Sequence, residues 1–267
     1  MWTPTRFDAP DNQMLGAGSD RDKSFWDGLA AILESYPHSE KHLLAHWPVY
    51  TKRILLMRFL AHYELFKLTV DLPGSIVELG VSRGVSFFTW HKLLELFAPM
   101  DTHKKVYGFD SFEGLSDFVA ADGAAGERDE MADKRVGGWS AQDVEGELFG
   151  LCALANADNV LARERSRLIK GRIQDTLEPF LAETPGLRIN LLHLDLDLYE
   201  PTKFALDRLW DLIVPGGLVV MDEYATPPWA GESTAWEELA RARGLNLEVK
   251  KFPWSLSPGG YVVKKSA

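Results

Sequence analysis

From residue 75 onward, short apolar runs alternate with stretches of helical periodicity. The runs SIVEL (75 to 79), KVYGFD (105 to 110), RLIKG (167 to 171), NLLHLDLD (190 to 197) and GLVVMD (217 to 222) are short, apolar and bounded by turn formers, and read as strands. Between them VSFFTWHKLLELF (85 to 97) and TKFALDRLWDLI (202 to 213) read as helices. The second sets Leu206, Leu209, Trp210 and Ile213 at i, i+3, i+4 and i+7. Repeated βαβ units predict an α/β fold, a parallel sheet covered on both faces, with ligands in the crevice at the carboxyl ends of the strands. The end of the chain differs. LEVKKF (247 to 252) and YVVKK (261 to 265) are separated only by PWSLSPGG, too short for a crossover helix, which predicts a terminal antiparallel hairpin after five parallel strands.

Three further segments flank or interrupt this core. Residues 1 to 23 are polar, with Pro, Gly and Asp spread through them, and read as a mobile arm. Residues 24 to 70 turn helical, with Ile54, Met57, Tyr63, Phe66 and Val70 at helical steps, and form an N-terminal helical lid before a core of residues 71 to 267. Residues 111 to 166 exceed what one crossover needs and contain AADGAAGERDEMADKRVGGWS, which suits an insertion over the active face.

Composition narrows the partners. The net charge is −10, and no run of Lys or Arg forms a basic stripe, which argues against a nucleic-acid backbone or an anionic membrane as the main partner and favours a small molecule. The apolar N-terminal helices offer a surface for a second subunit, so a homodimer is expected. Cys152 is the single cysteine, so neither an internal disulfide nor a cysteine-rich zinc site can form. The start of the chain lacks the basic and apolar regions of a signal peptide, and no apolar run approaches ~20 residues. A cytoplasmic protein is expected.

Candidate chemistry gathers at the strand ends. In IVELGVSRG, Gly80 and Gly84 lie between a strand and a helix, where backbone must approach a ligand closely, and Glu78 ends the strand. The spacing is not G-x-G-x-x-G, which argues against a dehydrogenase and for a cationic ligand without phosphate. Asp110 sits where a carboxylate can accept two hydrogen bonds from a ribose diol, and Ser111 and Glu113 follow it. Each of these can equally cap its own loop. On a regular strand Asp195 and Asp197 share a face, with Asp222 and Glu223 alongside. Carboxylates converging without a basic partner call for a hard divalent cation, Mg2+ being the default. His193 shares that face as either a core or a catalytic histidine. Trp229 either stacks on an acceptor or packs its loop. A D-x-D pair is also the metal motif of glycosyltransferases, but Glu78 and GVSRG have no role there, and a binding module without catalysis leaves the acids unexplained.

In this order, YELFKLTVDLPGSIVELGVSRGVS, VYGFDSFEGL, KGRIQDTL, LHLDLDLYEPT and VPGGLVVMDEY resemble the macrocin O-methyltransferase family, over about residues 50 to 225. These are class I S-adenosylmethionine-dependent enzymes that methylate sugar hydroxyls. The resemblance implies a Rossmann-like seven-stranded sheet ending in an antiparallel hairpin, and S-adenosyl-L-methionine as cofactor. It implies Glu78, Gly80, Gly84, Asp110, Ser111 and Asp195 at that cofactor, and Gly171, Gln174 and Asp175 bordering its adenine, unless Asp175 merely caps a helix starting at Thr176. It further implies Asp195, Asp222 and Glu223 as metal ligands and Asp197 as general base. Where the family often has Asp-Asp, this chain has Asp222-Glu223. Making an alkoxide from a sugar hydroxyl at neutral pH is roughly 9 pH units uphill, or about 12 kcal/mol, so a base and a cation are both expected. A catechol-type O-methyltransferase of the same fold differs in its acceptor alone.

Overall fold

The five runs that alternate with helices pair as parallel strands: β1 (Ser75–Leu79), β2 (Val106–Asp110), β3 (Ser166–Lys170), β4 (Ile189–Leu194) and β5 (Ile213–Met221). β6 (Gly260–Val263) joins β5 antiparallel, and the order across the sheet is β3-β2-β1-β4-β5-β6. Residues 19–123 and 134–266 are described in this computed structural model. They divide into two compact units, one of residues 19–56 with Lys134, the other of residues 57–123 and 135–266.

The first unit is helical, with α1 (Ser19–Ser35), α2 (Glu40–Ala45), α3 (Trp47–Tyr50) and the start of α4 (Arg53–Thr69). Ser39 caps α2 by accepting from the His42 N–H at 3.2 Å. Of the expected arm, residues 1–18 lie outside the described residues, and 19–23 already open α1.

The second unit holds the sheet. Between its strands run α5 (Val85–Phe97), α6 (Glu145–Asp158), α7 (Ile173–Glu183), α8 (Tyr199–Leu209) and α9 (Gly231–Ala242). Because strand side chains alternate, one face presents Ile76, Leu191, Leu218 and Val220 to Leu65 and Phe66 of α4 and to Trp90, Leu93 and Leu94 of α5. The other presents Val77, Leu79, Leu192, Leu194 and Met221 to α7, α8 and α9. Burial on both faces explains why the strands read as apolar runs. Each fully buried leucine such as Leu79 or Leu192 stabilises by about 1.5–3 kcal/mol. The segment 111 to 166 supplies the crossover helix α6 and a turn at Ala120–Asp122, while its residues 124–133 lie outside the described set.

The terminal hairpin is smaller than expected, and among the described residues the strands number six rather than seven. Residues 247 to 252 meet β6 only where Lys250 and Tyr261 exchange both N–H···O bonds at 2.8 Å. The connector is held elsewhere, since Gly259 N–H donates to the Asp222 carbonyl at 2.7 Å and Ser257 Oγ donates to the Asp222 carboxylate.

Candidate active site

The strand order reverses between β1 and β4, and the crevice at such a switch point is where open α/β sheets take ligands. Gly80 follows β1 with φ +90°, and a Cβ there would lie 1.7 Å from the Asp195 carbonyl oxygen that follows β4. Only glycine fits. Gly84, φ +83°, begins α5, and a Cβ there would meet Leu148 at 2.9 Å. At the end of β2, Asp110 accepts the Ser82 N–H through Oδ2 and the Phe112 N–H through Oδ1, both at 2.6 Å. Ser82 and Phe112 both have positive φ, so the carboxylate holds two strained loops in place. Burial pushes its pKa up, while those backbone donors pull it back.

Period-two alternation sends Glu78 and His193, paired in register on β1 and β4, to the α4 face. Both are fully buried. Glu78 thus lies inside the sheet rather than on the open crevice: its Oε1 accepts from Ser86 Oγ at 3.0 Å, and its Oε2 is 3.6 Å from His193 Nδ1. His193 Nε2 is 3.5 Å from Asp222 Oδ1. Burial favours the neutral ring, but the two flanking carboxylates outweigh it and raise the His193 pKa to about 10. His193 thus lies between two acids at 3.5 and 3.6 Å, with neither ring nitrogen in a hydrogen bond, and is not a core histidine with one hydrogen bond.

β4 ends at Leu194, so Asp195 and Asp197 are not on a strand as the sequence predicted. Asp195 keeps the strand's parity, because its N–H still bonds the Leu79 carbonyl at 2.8 Å. Asp197 has φ +60°, which breaks the alternation. Asp195, Asp222 and Glu223 do come together, each with a carboxylate oxygen within 4.8 Å of the others. They are not without a basic partner. Arg58 of α4 reaches in, Nη2 2.8 Å from Asp195 Oδ2 and Nη1 3.1 Å from Asp222 Oδ2.

The charges sort unevenly. Burial pushes Asp222 up, but Arg58, His193 and Ser257 outweigh it and hold its carboxyl well below the usual range. Asp195 is raised to about 7, by burial first and then by the Asp222 charge, against the pull of Arg58. Glu223 is raised well above normal by burial and by Asp197 and Asp222, and its Oε2 is buried without a hydrogen-bond partner. Behind both acid-bearing loops stands Glu232 of α9, fully buried, accepting the Leu196 N–H at 3.2 Å and the Glu223 N–H at 3.0 Å.

The remaining predicted residues lie along the rim. Ser111 Oγ accepts the Glu113 N–H at 3.1 Å and shapes the turn. Gly171, φ +133°, donates its N–H to the Asp110 carbonyl. Gln174 and Asp175 are exposed in the first turn of α7, which starts at Ile173 rather than Thr176, so Asp175 is not its cap. Sequence reasoning missed Arg58, Glu232 and Ser257. A signal existed for the first, a lone arginine inside the apolar LLMRFLA of α4.

The profile of the macrocin-O-methyltransferase (TylF) family matches residues 40–257. The 8-demethyl-8-(2,3-dimethoxy-alpha-L-rhamnosyl)-tetracenomycin-C 4'-O-methyltransferase of Streptomyces olivaceus is 32% identical over 199 residues, 73% of this chain and 71% of the relative. The demethyldecarbamoylnovobiocin O-methyltransferase of Streptomyces niveus is 32% identical over 159 residues, 59% of this chain and 55% of its own length. Among solved structures, the calicheamicin methyltransferase CalS11 superposes with a TM-score of 0.82 at 25% identity, covering 91% of this chain and 92% of that one.

Proposed function

Because the chain belongs to the macrocin O-methyltransferase family, and is an S-adenosylmethionine-dependent O-methyltransferase with the class I fold, we propose that it methylates a sugar hydroxyl of a glycosylated natural product or glycan with help from a divalent cation. Family membership sets aside the glycosyltransferase reading of the D-x-D pair. The sugar acceptor is supported by the rhamnosyl substrate in the name of the S. olivaceus relative. The observation that carries the chemistry is the convergence of Asp195, Asp222 and Glu223.

The residues present fit both groups. Bound S-adenosylmethionine supplies the electrophilic methyl on a sulfonium. Gly80 and Gly84 leave room for backbone to approach it, and the Asp110 carboxylate, oriented by backbone N–H groups at the end of β2, is the acceptor assigned to a ribose hydroxyl. Ser111, Gly171, Gln174, Asp175 and Asp195 complete the proposed cofactor side, and buried Glu78 supports it from beneath. An all-oxygen donor set of three carboxylates suits Mg2+, and the unpartnered Glu223 Oε2 gains a charge partner there. The cation supplies Lewis acidity toward the acceptor oxygen. Asp197 would take the proton of the acceptor hydroxyl as that oxygen gains the methyl and S-adenosylhomocysteine is released, so that proton loss accompanies methyl transfer.

Asp197→Asn is expected to keep S-adenosylhomocysteine affinity and lower turnover by about 10²–10⁴; normal turnover rejects Asp197 as base. Calorimetric titration of S-adenosylhomocysteine with and without Mg2+, followed by turnover in chelator, tests the rest. Undiminished turnover in chelator removes the cation from the mechanism.

Exposed Ile32, Tyr36, Leu44 and Val49 in the helical unit support a homodimer, which light scattering checks. Among the described residues no helix is long and apolar enough to cross a membrane. The cytoplasm is the proposed site of action, checked by cell fractionation.

A further inference from the structure

We propose that Arg58 is a displaceable internal counter-ion that competes with the divalent cation for Asp195 and Asp222 and so weakens metal binding. The inference rests on the metal reading above and assigns the control of that site to a residue of α4.

The guanidinium forks across the cluster, 2.8 Å from Asp195 Oδ2 and 3.1 Å from Asp222 Oδ2, and these are two of the three acids in the oxygen donor set. An arginine cannot shed its charge by losing a proton, so a cation arriving at the same carboxylates meets a fixed positive neighbour. Only movement of the side chain relieves that repulsion.

The structure gives the side chain freedom to move. It is 22% exposed, and its Nε has no hydrogen-bond partner, so among the described residues the anchors of the head group are the two carboxylates themselves. The backbone need not follow, because Ala61, Leu65 and Phe66 bury the next turns of α4. The other basic side chain at Asp222 is placed differently. His193 is fully buried between Glu78 and Asp222 and has no open side to swing toward. Arg58 is therefore the neighbour that can exchange, and Glu223, whose Oε2 has no partner, waits on the exchange.

The test is Mn2+ binding to the full-length protein, followed by electron paramagnetic resonance of the free ion, in wild type, Arg58→Met, Arg58→Gln and Arg58→Lys, with Asp222→Asn as control. Arg58→Met and Arg58→Gln are expected to bind Mn2+ at least tenfold tighter than wild type, with Arg58→Lys close to wild type. S-adenosylhomocysteine affinity should be unchanged in all three. If Arg58→Met does not fold, Arg58→Gln, which keeps hydrogen-bond donors without the charge, decides. Equal Mn2+ affinity in wild type and the neutral variants, abolished by Asp222→Asn, overturns the role of Arg58 and leaves the metal reading intact. Absence of Mn2+ binding in every variant overturns both.

Discussion

Asp110, at the end of β2, is satisfied by backbone N–H groups of the loops on either side of it, Ser82 and Phe112. Asp195 and Asp222, at the ends of β4 and β5, are satisfied by charged side chains from elsewhere, Arg58 on α4 and, for Asp222, His193 on β4. The first arrangement is local and fixed. The second depends on packing between distant elements and contains a cation that can leave. A carboxylate bound by backbone amides is shaped for one lasting job, such as holding a diol. A cluster neutralised by side chains can trade one partner for another during turnover.

The largest effect should come from the second region. Arg58→Ala leaves Asp195 and Asp222 short of a cation and is expected to cost about 3–5 kcal/mol in urea unfolding. A loss below about 1 kcal/mol, the range of exposed pairs, would mean that the two regions do not differ as described. Next comes the pH dependence of His193. Its folded pKa of about 10 lies above the ordinary 6.5, so its ion pairs contribute fully below pH 6.5 and are lost as pH rises toward 10. Urea midpoints should fall across that window in wild type and fall less steeply in His193→Asn. The smallest effect is at Asp110. Asp110→Asn keeps one acceptor oxygen and loses one charged hydrogen bond, about 1.5–3 kcal/mol, and weakens S-adenosylhomocysteine measurably by calorimetry. Unchanged affinity would assign Asp110 to its loops alone.

The same division decides what could be read from the sequence. Helix α5 was expected at 85 to 97 and is found at Val85–Phe97, because its glycine start and apolar face are written in consecutive residues. Gly80 was legible for the same reason. The Arg58 contact spans 137 residues and leaves no periodic trace. Asp197 was placed on a strand because apolar alternation runs through LHLDLDL, but the ladder stops at Leu194 and a positive φ follows. The seventh strand failed for a tertiary reason, the tethering of its connector to Asp222 through Ser257 and Gly259.

Glu232 carries a consequence for how such an enzyme can change. Its carboxylate grips the Leu196 and Glu223 amides from the first turn of α9. The loop of residues 224 to 230 is pinned at its start, where the Thr226 N–H bonds the Glu223 carbonyl at 3.0 Å and the Ala225 N–H bonds Ser233 Oγ at 2.9 Å. A foreign segment grafted at 227 to 230, ahead of an intact Glu232, leaves both ties on Glu223 in place while the rest of the loop changes.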